Sequence, residues 1–124
     1  LELVEQSQNV SYLGFAGEKL KQEIFESSDI FCLPSKLDEG SPISIIEAMS
    51  YGLPIIASDK GCIKDMIDGL GYLLPKDFSI NDIMNGIKFI EKNYVTLSAN
   101  AIKKYQENHL PEIFIQDLES ILKG

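Results

Sequence analysis

Apolar and polar residues follow two rhythms along this chain. Four short, nearly unbroken apolar runs are bounded by Gly, Pro, Ser or Asp: residues 10–14 (VSYLG), 29–34 (DIFCLP), 54–58 (PIIAS) and 71–75 (GYLLP). Runs of this length without polar alternation suit strands buried on both faces, as in a parallel sheet. Helical spacing fills the gaps. Residues 18–27 place Leu20, Ile24 and Phe25 on one side, and residues 44–51 do the same with Ile45, Ile46 and Met49. Residues 63–68 read as a turn or short helix. The alternation predicts an α/β fold: a parallel, Rossmann-like sheet with helices on both faces.

After Pro75 the strand pattern stops. Residues 79–93 predict a helix with Ser79 as N-cap, Asp82 at N3, and Ile80, Ile83, Ile87 and Ile90 on the buried stripe. A more polar helix is expected over 96–108. A last one begins near Pro111, with Ile115, Leu118 and Leu122 at helical spacing. Residues 1–75 thus form an α/β part and 76–124 a helical tail of one domain, which 124 residues are enough to build.

Charge narrows the ligand. The chain carries 19 acidic and 11 basic residues, a formal charge of −8, and every Lys/Arg position is Lys. No basic cluster is available for a nucleic acid, so none is expected as a partner. An anion would have to be held by backbone amides at a helix N-terminus. Cys32 and Cys62 are too isolated for a zinc site and read as reduced thiols. There is no membrane-span-length apolar run and no signal-peptide pattern, so a cytoplasmic location is expected, with the intact protein able to lie at a membrane surface. The chain starts at Leu1, not at a methionine, as expected of a fragment, a processed product or an excised domain.

Residues 33–58, LPSKLDEGSPISIIEAMSYGLPIIAS, hold the candidate chemistry. A strand ends at Pro34, a polar loop follows, and Ser41 and Pro42 suit the N-cap and N1 of a helix. The amides of Ile43 and Ser44 would point toward the carboxyl end of the strand, where open parallel sheets bind ligands. Glu39 lies in the loop and Glu47 in the helix. Each alone reads as a solvated charge or a helix-dipole partner. Together beside an anion site they suit a sugar nucleotide, whose ribose and sugar hydroxyls a carboxylate accepts.

The ordered string resembles the donor-binding signature of the family 4 (group 1 type) glycosyltransferases, enzymes of the two-domain B-type fold. The matching residues are Pro34, Ser35, Glu39, Gly40, Pro42, Glu47, Ala48, Met49, Gly52, Pro54 and Ala57, with seven residues between the two glutamates. VSYLGF resembles the preceding strand and loop, and Gly61-Cys62-Ile63 the following Gly-Gly-Ile turn. Cys62 departs from the second Gly and Lys64 from a common Pro. Ser41 and Pro42 replace the commoner Phe-Gly, which removes one amide.

The resemblance implies roles. Glu39 would be catalytic, facing the transferred sugar. Gly40, Ser41, Pro42, Ile43 and Ser44 would surround the sugar and diphosphate, Glu47 would accept the ribose hydroxyls, and Gly14, Phe15 and Ala16 would contact the base. It implies a retaining mechanism with a nucleotide diphosphate sugar as donor substrate and neither cofactor nor metal; the sequence has no Asp-x-Asp triplet. The acceptor, a glycan or lipid-linked sugar, would need an N-terminal domain beyond this chain. A non-catalytic nucleotide-binding or interaction module is the alternative function; an epimerase of the same fold is disfavoured by the Glu-Ala-Met string. If residues 10–14 and 29–34 are the third and fourth strands of a doubly wound sheet, they would not be neighbours in it. Either 10–14 slides over to pair with 29–34 or two chains associate along open edges, and self-association is the favoured expectation.

Overall fold

The computed structural model describes residues 8–35, 43–108 and Leu122. Its elements, in chain order, are α1 (Glu18–Ser27), β1 (Phe31–Leu33), α2 (Ile43–Ser50), β2 (Ile55–Ser58), α3 (Ile63–Met66), β3 (Gly71–Leu74) and α4 (Ile80–Asn108). The strands form one parallel sheet in the order β1-β2-β3, with Phe31 opposite Ile55 and Ile55 opposite Gly71. The expected α/β architecture is therefore present, and three of the four apolar runs supply its strands.

Side-chain alternation along the strands builds two cores. Ile55 and Ala57 of β2, with Phe31 and Leu33 of β1 and Leu73 of β3, face Phe25 of α1, Ile45, Ala48 and Met49 of α2, and Ile63 of α3. Ile56 of β2 and Tyr72 and Leu74 of β3 face the other way, onto Ile83, Ile87, Ile90 and Leu97 of α4. All four residues of β2 are buried. A strand paired on both sides and covered on both faces must be apolar throughout, which is why PIIAS lacks alternation.

Two expectations need correction. Residues 10–14 make no strand in the described sheet. Val10, Tyr12 and Leu13 are 52%, 69% and 53% exposed, and Gly14 turns at φ +64° directly ahead of α1. An apolar run becomes a strand only where a neighbour supplies ladder bonds, and this one finds none among the described residues. It has not slid onto β1, which pairs only with β2 there. Ile80 is 78% exposed, because it lies in the first turn of α4, ahead of the Ile83, Ile87 and Ile90 contacts. The helices expected over 79–93 and 96–108 are both present and run on into each other as α4, with non-helical backbone between them at Asn93 (φ −123°, ψ 19°), whose side-chain amide donates to the Phe89 carbonyl at 2.8 Å. The Ser79 start is as expected: its backbone N–H donates to Asp82 Oδ2 at 2.8 Å. The helix predicted from Pro111 lies outside the described residues. Among those described, no helix is long and apolar enough to cross a membrane.

Beyond the kink, α4 passes from one core to the other. Leu97 packs beside Ile90, whereas Ala101 and Tyr105 join the α2 side. On the way α4 grips the chain just before each strand. The Tyr94 hydroxyl donates to the Asp29 carbonyl at 2.9 Å ahead of β1, and Asn100 donates to the Gly69 carbonyl at 2.7 Å ahead of β3. Ahead of β2, Gly52 lies against Ser98 and Ile102. Lys104 donates to the Asp65 and Met66 carbonyls at the end of α3, satisfying groups a helix leaves open. The amino ends of the strands are thus closed by α4.

Gly52 shows how the Gly-x-Pro of the signature string works. It follows α2 at φ +72°, with the Leu53 amide bonded to the Ala48 carbonyl and the Gly52 amide to that of Met49. This is a Schellman stop, and the left-handed residue in it favours glycine. A Cβ there would also come within 3.0 Å of Ile102 Cδ1. Gly52→Ala is therefore expected to destabilise the chain by about 1–3 kcal/mol. Denaturant unfolding of the two chains checks this, with an unchanged midpoint as the contrary result.

Candidate active site

With the amino ends of the strands closed, the carboxyl ends remain for a ligand, as in other open parallel sheets. Two helices present their N-termini there. Helix α1 leads into β1 and α2 follows β1, so both run against the sheet direction. They also run alongside each other: Lys21 of α1 meets Glu47 of α2, and four residues further along each stretch Phe25 stacks on Tyr51, just past the end of α2, with centroids 5.2 Å apart and planes 8° from parallel. Between them lies a groove of about 290 Å³, lined by Glu18, Lys19, Lys21, Gln22, Phe25, Glu47 and Tyr51.

The helix pattern of residues 44–51 explains the placing of Glu47. Ile45, Ala48 and Met49 are fully buried, which rotates Glu47 to the flank of α2, facing α1. Its side chain is 33% exposed, and its Oε2 lies 3.1 Å from Lys21 Nζ. Lys21 also reaches Glu18 Oε1 at 3.3 Å, one turn back on α1. The ammonium thus bridges a carboxylate of its own helix and one of the next.

The other expected site residues fall into three groups. Gly14, Phe15 and Ala16 form the turn into α1, with Phe15 97% exposed and Ala16 half-buried. Gly17 caps the helix in an extended conformation, and Glu18 opens its first turn, at the head of the groove. Gly14, Phe15 and Ala16 and Glu47 therefore flank the same helix start. Ile43, 70% exposed, and the half-buried Ser44 open α2. Glu39, Gly40, Ser41 and Pro42 lie outside the described residues.

Lys21 was not among the expected site residues. Its partner is remote in sequence, so no local pattern marks it; the available signal was a Lys one turn into the helix that follows Gly14, Phe15 and Ala16. The turn at Gly61-Cys62-Ile63 accounts for a departure from the family pattern. Gly61 holds the positive φ of +53°, while Cys62 has φ −92°, which any residue adopts, so the second glycine is dispensable. Cys32 and Cys62 are both exposed and are not joined in a disulfide, and partial desolvation raises the Cys32 thiol above its ordinary pKa. Among the described residues no three His, Cys, Asp or Glu side chains gather as metal ligands would.

Comparison with known proteins gives the class. The family model described as glycosyl transferases group 1 matches residues 2–109. The chain is 30% identical over 122 residues to the N,N'-diacetylbacillosaminyl-diphospho-undecaprenol alpha-1,3-N-acetylgalactosaminyltransferase of Campylobacter jejuni, covering 93% of this chain and 32% of that protein. It is 27% identical over 107 residues to the phosphatidyl-myo-inositol mannosyltransferase of Mycobacterium leprae, covering 79% of this chain and 28% of the relative. Among solved structures it resembles the sucrose-phosphate synthase of Thermosynechococcus elongatus with a TM-score of 0.82 at 22% identity, covering 98% of this chain and 32% of that one. It resembles HepE of Anabaena, solved in complex with UDP, with a TM-score of 0.78 at 21% identity, covering 92% and 32%. The chain belongs to the group 1 glycosyl transferases, and its fold is that of the corresponding α/β part of the B-type enzymes. It spans about a third of the length of the relatives just named.

The Lys21 bridge has a pH signature. The hydrogen bond to Glu47, then that to Glu18, raises the Lys21 ammonium above its ordinary value of 10.5. A group whose pKa is higher folded than unfolded stabilises fully below the unfolded value and loses that contribution as pH rises through the folded one. The stability difference between the wild-type chain and Lys21→Met is thus expected to be constant from about pH 7 to 9 and to shrink above pH 10.5. Denaturant unfolding of both chains at stepped pH measures it; a difference that grows with pH would contradict the bridge.

Proposed function

We propose that this chain is the donor-binding part of a retaining glycosyltransferase, which transfers a sugar from a nucleotide diphosphate sugar to a glycan or lipid-linked acceptor. The observation that carries the reading is the placing of Glu47, in a groove beside two helix N-termini at the carboxyl ends of the strands. A carboxylate there accepts hydrogen bonds from vicinal hydroxyls, and amides at the start of α2 suit a diphosphate. Family membership supports the reaction class, and the UDP and UDP-glucose bound to HepE support a nucleotide-sugar donor. The names of two relatives include diphospho-undecaprenol and phosphatidyl-myo-inositol, which supports a lipid-linked acceptor and a place at a membrane surface.

In this reading Gly14, Phe15 and Ala16 line the base end, and Glu47 takes the ribose. Gly40, Ser41, Pro42, Ile43 and Ser44 surround the diphosphate and sugar, and Glu39 faces the sugar at the reacting carbon. Donor charge is met by backbone dipoles without a metal. The acceptor would be held by a further domain of the intact enzyme, so the reacting groups are brought together only there.

The two glutamates separate by ligand. Glu47→Ala is expected to weaken UDP binding by about 1–2 kcal/mol, the loss of a charged hydrogen-bond acceptor. Glu39→Ala is expected to leave UDP affinity unchanged and to weaken UDP-glucose. Calorimetric titration of each variant with both ligands tests the assignment, and equal loss of UDP affinity in the two variants would overturn it.

A further inference from the structure

The groove between α1 and α2 contains more charge than one ribose-binding carboxylate requires. Two glutamates, Glu18 and Glu47, face two lysines, Lys19 and Lys21, so the lining is neutral by side-chain charge on a chain of net charge −8. Lys21 is the member that joins the helices, 3.1 Å from Glu47 Oε2 and 3.3 Å from Glu18 Oε1. Its contact uses one of about four acceptor positions on the Glu47 carboxylate, leaving capacity for hydroxyl donors.

Geometry gives this contact a purpose. A glutamate has three rotatable bonds, and on a helix flank its carboxylate samples several rotamers. A carboxylate that must accept two adjacent hydroxyls has to hold one orientation. The Phe25–Tyr51 stack fixes the helix spacing at the far end of the groove, with Phe25 only 8% exposed. Lys21 fixes it at the near end.

We infer that Lys21 is a positioning residue of the nucleotide site: by bridging Glu18 on α1 to Glu47 on α2 it holds the Glu47 carboxylate in the orientation that receives the ribose hydroxyls. Lys21 acts through Glu47, and its effect is confined to ligands that carry those hydroxyls. The inference rests on the role of Glu47 under Proposed function, and its test separates the two.

The probes are UDP and 2′,3′-dideoxy-UDP, which has the same base and diphosphate but neither hydroxyl. Affinities are measured by titration for the wild-type chain and for Lys21→Met, Lys21→Arg and Glu47→Ala, with thermal unfolding of each. Wild type is expected to prefer UDP. In Lys21→Met, UDP affinity is expected to fall about five- to tenfold, which corresponds to about 1–1.4 kcal/mol, while dideoxy-UDP affinity stays within twofold. Lys21→Arg is expected to restore the preference. A purely structural ion pair would lower the melting temperature and leave the ratio of the two affinities untouched, and that result overturns the inference. If Glu47→Ala loses the preference while Lys21→Met keeps it, the inference falls and the role of Glu47 stands. If the wild-type chain makes no distinction between the probes, the role of Glu47 fails and the inference falls with it.

Discussion

Helix α4 crossing the amino ends of three short strands is the constraint on which the rest of the structure depends. Strands of three or four residues cannot hold a sheet together alone. Here the first half of α4 covers one face through Ile83, Ile87 and Ile90. Past the kink at Asn93 its second half reaches Asp29, Gly52, Gly69 and the end of α3. One helix therefore supplies a face to the sheet, partners for loop carbonyls and a floor beneath the strands. Tyr94 and Leu97, just past the kink, still pack on the Ile56 side, and Ala101 and Tyr105 further along join the other core.

That closure determines where chemistry can occur. The other end of the sheet receives the starts of α1 and α2, helices that run against the strands and carry their positive ends to the same place. The fully buried Ile45, Ala48 and Met49 rotate Glu47 toward α1, and Lys21 meets it there. The site thus follows from packing: the apolar face of α2 dictates the direction of its polar flank. Gly52 serves the same end, because its left-handed stop lets the chain turn sharply from α2 into the buried β2.

Much of this was legible in the residues. Runs such as PIIAS announce a strand buried on both faces, and the loss of apolar period after Asn93 announces the break in α4. The Glu39-to-Ala57 string identified the family and placed Glu47. VSYLG is a short, mainly apolar run like the true strands but is not one in the described sheet, because pairing is a property of the neighbour and not of the run. Ile80 fits the periodicity of α4 yet lies exposed, since period alone does not say where a helix first meets its sheet. Lys21 was hidden for a third reason: its importance comes from a parallel packing of two helices that only the tertiary fold reveals.

The proposed function depends on the α1–α2 groove at the carboxyl ends of the strands binding the nucleotide of the donor. A crystal structure of the chain grown with UDP tests it most directly. The ribose hydroxyls are expected within hydrogen-bond distance of Glu47 and the diphosphate over the start of α2. UDP bound against α4, at the amino ends of the strands, or with its ribose away from Glu47 would contradict it.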